Sequence, residues 1–339
     1  MMLAMVCGCS GLALTAPEIA FIREAQPWGF ILFKRNVADR DQVRALTAAF
    51  RSLVARADAP VLIDQEGGRV QRLGPPGWPA YPSAASFDAT IGDPAAALDA
   101  SRLAARLIAH DLIEVGVNVN CAPVLDLAQP GASAVIGSRA YSSDPARVAA
   151  FGRAVAEGFL AGGVAPVVKH MPGHGRALVD SHFELPLVDA SLDDLSATDF
   201  APFAALADLP IAMTAHVVYR SIDASRAATI SPDVVGRVMR GLIGFDGLIV
   251  SDDLSMKALG GSFAERARGA FAAGVDVALH CNGDLDEANA VAGACPPLAG
   301  VALRRANAVL ARIAGGPQTL DVEAARAQLA QAFGAAVAV

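Results

Sequence analysis

The stretch Ala165–His170 reads APVVKH, four apolar residues closed by a lysine and a histidine. It is too short for a helix. Its apolar part is continuous rather than alternating, the pattern of a strand covered on both faces. The same pattern recurs on either side of it. The runs are Leu3–Leu12 at the start, Gly29–Phe33 (GFILF), Pro60–Asp64 (PVLID), Val117–Cys121 (VNVNC), Pro210–His216 (PIAMTAH), Gly247–Asp252 (GLIVSD) and Val275–His280 (VDVALH). Segments with helical spacing, such as SRLAARLIAHDLIEVG and ARVAAFGRAVAEGFLAGG, separate them. Eight buried parallel strands alternating with helices predict an α/β protein, a closed (β/α)8 TIM barrel. An open doubly wound sheet is the alternative, but no G-x-G-x-x-G follows the first strand. We expect a single catalytic domain over residues 1–339. The Ala-rich part from about 300 to 339 should be a helical extension on the outside.

Composition narrows the function. The chain has 339 residues, 54% hydrophobic and 18% charged, which excludes a disordered or fibrous protein. A net charge of −7 argues against nucleic acid or an anionic membrane as partner. Five cysteines, an odd number in a long chain, argue against a disulfide framework and for a reducing compartment. The opening MMLAMVCGCSGLALT lacks a basic leader region, the first positive charge being Arg23. It reads as a strand followed by a helix capped by Thr15. No apolar run approaches the ~20 residues of a membrane span. A soluble cytoplasmic protein is expected, acting as a monomer without cofactor or metal.

Most apolar runs end in a residue able to do chemistry: Asp64, Lys169 and His170, His216, Asp252, His280. In a barrel the C-terminal strand ends open onto one mouth, where active sites lie. Contact with water accounts for one or two polar strand ends, but poorly for so many.

The loop after the fifth strand, KHMPGHGRALVDSH from Lys169 to His182, holds three of the six histidines. Pro172, Gly173 and Gly175 disfavour regular structure there. Asp180 and His182 stand two apart, so an extended backbone puts both on one side. A carboxylate beside an imidazole fixes its tautomer and stabilises its charged form, which makes a general acid/base. A surface pair with no task fits these residues equally well. His170 and His174 have the i, i+4 spacing of a helical zinc pair, but Pro172 and Gly173 between them disfavour the helix.

GLIVSDDLSM sets Asp252 and Asp253 at the end of the seventh strand. Successive strand residues face opposite ways, so one carboxylate should point into the mouth and the other turn away, to cap a following helix. Asp252 suits the inward position.

Six stretches stand in order: LIDQEGGRVQRL (Leu62–Leu73), APVLDL (Ala122–Leu127), IGSRAYSSDP (Ile136–Pro145), KHMPGHGRALVDSH, AMTAHVVY (Ala212–Tyr219) and SDDLSM (Ser251–Met256). Together they resemble the family 3 glycoside hydrolases, and within them the single-domain bacterial β-N-acetylhexosaminidases of cell-wall recycling. CGCSG in the first strand departs from the acidic residue and glycine often found there. The resemblance implies a retaining, two-step mechanism. Asp252 would be the nucleophile, and His182 the general acid and then base, assisted by Asp180. Asp64, Arg72, Arg139, Lys169 and His170 would bind the sugar. The implied substrate is a small carbohydrate or muropeptide ending in N-acetyl-β-D-glucosamine, carried on 1,6-anhydro-N-acetylmuramic acid with or without its peptide. A phosphorylase using phosphate in place of water is the alternative, since a neutral histidine base does not repel an anion. A metal-dependent hydrolase and a non-catalytic sugar-binding protein are weaker alternatives.

Overall fold

The computed structural model describes residues 1–131, 133–179, 181 and 184–334. Its strands are β1 (Leu3–Cys7), β2 (Pro27–Leu32), β3 (Val61–Ile63), β4 (Gln65–Gly67), β5 (Val70–Gln71), β6 (Val119–Asn120), β7 (Ala165–Met171), β8 (Leu187–Val188), β9 (Ile211–Thr214), β10 (Val218–Tyr219), β11 (Leu248–Asp253) and β12 (Val277–His280). Eight close into a barrel in the order β1, β2, β3, β6, β7, β9, β11, β12 and back to β1. Every pairing around it is parallel. β4 with β5, and β8 with β10, form two small sheets beyond the barrel strands. Each predicted run overlaps one barrel strand, so the (β/α)8 reading holds. The first strand stops at Cys7 rather than Leu12.

Alternation along the strands divides the core in two, except in β2, where Trp28 and Ile31 both join the inner cluster although they stand three apart. Ala4, Val6, Trp28, Ile31, Leu62, Val119, Val167, Met213, Val250 and Leu279 fill the barrel. Met5, Phe30, Ile63, Val168, Ala212, Ile249 and Ala278 face the helix layer. The helices present matching stripes. Helix Arg40–Val54 buries Val43, Leu46, Thr47, Phe50 and Val54, one face at helical spacing. Short polar side chains start the helices: Thr15 in a capping box with Glu18, and Asp39, Asp93, Asp144, Ser191, Ser262 and Asp284 as caps. Residues Asp233–Leu242 wind as a π-helix. All five cysteines are buried thiols without disulfides. Among the described residues no helix is long and apolar enough to cross a membrane.

The end of the chain covers one end of the barrel. Half the residues of helix Gly300–Ile313 are exposed, and its Ala306 and Val309 are fully buried and pack with the residues that fill the barrel. That cluster also holds Ala165, Ile211 and Leu248, at the N-terminal ends of β7, β9 and β11. The helix therefore closes the floor of the barrel, opposite the strand ends where the polar residues gather.

Candidate active site

A cavity of about 320 Å³ opens at the C-terminal ends of the strands. Asp64, Arg72, Arg139, Lys169, His170 and Asp252 all line it. Its size falls within the range of small-molecule sites, about 300–1,000 Å³. Alternation places most of these side chains. Leu62 points into the barrel, so Asp64 does as well; Val167 does, so Lys169 follows; Val250 does, so Asp252 follows. His170, next to Lys169, also reaches the cavity, because the β7–β9 register slips between Val168 and Met171.

An ion network holds one wall. Lys169 Nζ lies 2.7 Å from Asp64 Oδ1 and 2.6 Å from Glu66 Oε1. Arg72 Nη2 donates to Asp64 Oδ2 at 3.0 Å. Arg139 grips Glu66 with two bonds, Nε and Nη2 each at 2.8 Å. Burial pushes Asp64 and Glu66 upward, but Lys169 with Arg72, and Lys169 with Arg139, outweigh it and hold both carboxyls below their ordinary range. Burial likewise disfavours a charged Lys169, and its two carboxylates reverse that. Both carboxylates and Lys169 therefore stay charged. Such groups suit a ligand rich in hydroxyls, since a fixed carboxylate can accept bonds from neighbouring hydroxyls.

A second network orients the histidines. Asp126 Oδ2 sits 2.6 Å from His170 Nδ1, and its Oδ1 accepts the His174 N–H at 2.6 Å. Asp126 is fully buried, which alone would raise its pKa; His170 brings it down. With Nδ1 engaged, Nε2 is the His170 nitrogen left for a ligand. His174 Nε2 pairs with Ser181 Oγ at 3.0 Å, and burial followed by the nearby His170 lowers the His174 pKa to about 4. Each ring thus commits one nitrogen to a protein partner, and the two do not form a helical chelate. The loop base packs tightly here. Gly175 lies so close to Leu127 that a Cβ would stand 2.4 Å from its carbonyl oxygen, and the Tyr219 hydroxyl donates to Gly173 O.

At the end of β11 the alternation argument fails by one residue. The pairing with β12 slips between Val250 and Asp253, and both Asp252 and Asp253 line the cavity. Asp253 does not cap a helix. Its carboxylate accepts from Ser255 N (2.9 Å), Ser255 Oγ (2.6 Å) and Cys281 N (3.1 Å), which pins the turn after the strand. Helix Phe263–Ala273 is capped by Ser262 instead. His280 is also corrected: it faces the helix layer, where Nε2 meets Glu287 Oε2 at 3.0 Å. Asp180 and His182 lie outside the described residues. Two participants escaped the sequence reading, Glu66 and Asp126, although their letters lie inside LIDQEGGRVQRL and APVLDL. Among the described residues, three acid or histidine side chains approach one another closely enough for a metal only at His110, Asp111 and Glu114, on helix Pro94–Glu114.

Comparison with known proteins agrees with this geometry. Residues 11–314 match the glycosyl hydrolase family 3 N-terminal domain. A β-hexosaminidase of Methylococcus capsulatus is 43% identical over 276 residues, 80% of each chain. NagZ from Neisseria gonorrhoeae, solved with N-trifluoroacetyl-D-glucosamine, superimposes with a TM-score of 0.85 at 31% identity over 98% of both chains. A family 3 β-N-acetylglucosaminidase from Paenibacillus superimposes with a TM-score of 0.86 at 30% identity, and this chain spans 66% of that longer protein.

Proposed function

Since the chain belongs to glycoside hydrolase family 3, we propose that it is a retaining β-N-acetylhexosaminidase. It removes non-reducing terminal N-acetyl-β-D-glucosamine from small peptidoglycan fragments in the cytoplasm, as one catalytic unit over its whole length. The observation that carries the reading is the cavity itself. A carboxylate at the end of β11, Asp252, lines it together with a fixed array of charged donors and acceptors suited to one sugar ring. In the first step a carboxylate oxygen of Asp252 bonds to the anomeric carbon as the glycosidic C–O bond breaks. His182 gives a proton to the departing oxygen. In the second, His182 takes a proton from water, the water oxygen bonds to the anomeric carbon, and the Asp252 ester bond breaks. Asp180 orients His182. Asp64, Arg72, Lys169, His170 and Arg139 hold the sugar or the groups that touch it. A histidine in place of the second carboxylate of most retaining enzymes avoids a negatively charged base near Asp252.

Purified protein with an aryl N-acetyl-β-D-glucosaminide, beside the matching β-D-glucoside, tests this. The expected outcome is release of free N-acetylglucosamine, strong preference for the N-acetyl sugar, and indifference to phosphate and to a chelator. N-acetylglucosamine 1-phosphate as main product would instead mark a phosphorylase. Loss of activity on chelation would mark a metal enzyme.

A further inference from the structure

The stretch AMTAHVVY contributes two buried polar residues that the mechanism above does not use, Thr214 and His216, and the turn Ala228–Ile230 contributes a third, Thr229. All three have no exposed surface. They are bonded in series around the end of β11. The Asp252 N–H donates to Thr214 Oγ1 at 3.1 Å. Thr214 Oγ1 lies 2.7 Å from Thr229 Oγ1, which lies 2.8 Å from His216 Nδ1. His216 Nε2 lies 3.0 Å from the Asp253 carbonyl oxygen.

The protons in this series can be assigned. A carbonyl oxygen only accepts, so His216 Nε2 carries the hydrogen. Burial lowers the His216 pKa and keeps the ring neutral, so Nδ1 accepts from Thr229. Thr229 oxygen then accepts from the Thr214 hydroxyl, and Thr214 oxygen from Asp252 N–H. The Ala215 carbonyl, 3.1 Å from Thr229 Oγ1, competes for the Thr229 proton. The series begins on the N–H of Asp252 and ends on the C=O of Asp253, the two backbone groups flanking the Asp252–Asp253 step. It does so just beyond the last β9–β11 pair, Val250 with Met213, so side chains here take over where that ladder ends.

We propose that Thr214, Thr229 and His216 are positioning residues that fix the backbone of Asp252 and so aim its carboxylate at the anomeric carbon. The inference rests on Asp252 being the nucleophile. Small displacements at a reacting centre are costly, since a shift of about 1 Å can cost about 10²-fold in rate. The test measures kcat/KM for an activated aryl N-acetyl-β-D-glucosaminide, with the inhibition constant of free N-acetylglucosamine as the gauge of ground-state binding. Thr229→Val keeps the shape and removes the hydroxyl. It should lower kcat/KM about tenfold to a hundredfold while product binding changes less than about threefold. Thr229→Ser, which keeps the hydroxyl, should stay within about threefold of the parent. A parent-like rate for Thr229→Val, or an equal loss in Thr229→Ser, overturns the proposal. So does a matching loss of product binding, which would mean general collapse of the pocket. Should Thr229→Val not fold, Thr214→Val against Thr214→Ser is read by the same criteria. Asp252→Asn is measured alongside. If it turns over like the parent, the nucleophile reading fails, and this inference with it. If it is inactive while Thr229→Val is parent-like, only the positioning role fails.

Discussion

Lys169 is 1% exposed and touches two carboxylates, Asp64 and Glu66. Removing it by Lys169→Met strands buried charge, an effect of about 3–5 kcal/mol when one partner of a buried pair is lost. The sign of its pH dependence is diagnostic. In the parent both carboxyls are held low, so their stabilisation is present above about pH 4 and fades as pH falls through their folded-state values. Without Lys169 both carboxyls lose the charge that opposes burial most, so their folded-state values rise, while Arg72 and Arg139 still hold them. The stability lost on acidification should therefore be smaller in Lys169→Met than in the parent; thermal scans of both at pH 7 and pH 3 check this, and an equal drop in melting temperature would refute it. The proposed chemistry makes two further demands. Asp252→Ala should lower kcat at least about 10³-fold, some 4 kcal/mol of barrier, on every substrate. His182→Ala should slow substrates with poor leaving groups about 10²-fold or more and spare activated aryl glycosides, because only the former need the acid. A comparison of leaving groups at fixed sugar reads both. At this scale the sequence showed the residues at strand ends but not their partners. Glu66 acts through Arg139 and Lys169, 73 and 103 positions away, and Asp126 through His170, 44 away. No local spacing encodes such contacts; only closure of the barrel creates them.

Strand parity was legible wherever a ladder is regular, as at β3. It failed at β7 and β11, where the register slips and adjacent residues both reach the cavity. A slip depends on how neighbouring strands pair, which one strand's letters do not carry. The helices add a contest of magnitudes. Gly158 stands in the interior of helix Pro145–Ala161, where alanine would ordinarily gain about 1 kcal/mol of helix propensity. Here a Cβ would stand 2.3 Å from the Arg102 carbonyl oxygen and 2.8 Å from Ala105 Cβ. Overpacking costs about 1–3 kcal/mol, so Gly158→Ala should destabilise, seen as a lower urea midpoint with an unchanged slope.

The molecule as a whole separates stability from chemistry along the barrel axis. The floor is closed by helix Gly300–Ile313 through Ala306 and Val309, and the mouth carries the charged network. Val309→Ala should therefore cost about 1–3 kcal/mol of stability and leave kcat and KM at parent values. Eight apolar runs sufficed to read the barrel from sequence, because burial on both faces leaves a continuous signature. Which face of the barrel the closing helix covers was not legible, because an Ala-rich amphipathic segment reads alike whether it covers a barrel wall or its floor.

Formation of a glycosyl–enzyme on Asp252 is the central claim. It is tested most directly by incubating the enzyme with a fluorinated N-acetyl-β-D-glucosaminide bearing a good leaving group, then locating the adduct by peptide mass spectrometry. One sugar residue per chain is expected, ester-linked to Asp252, with turnover lost in proportion to labelling. Substrate turnover in the same preparation with no covalent adduct, or with the adduct on any other residue, would contradict it.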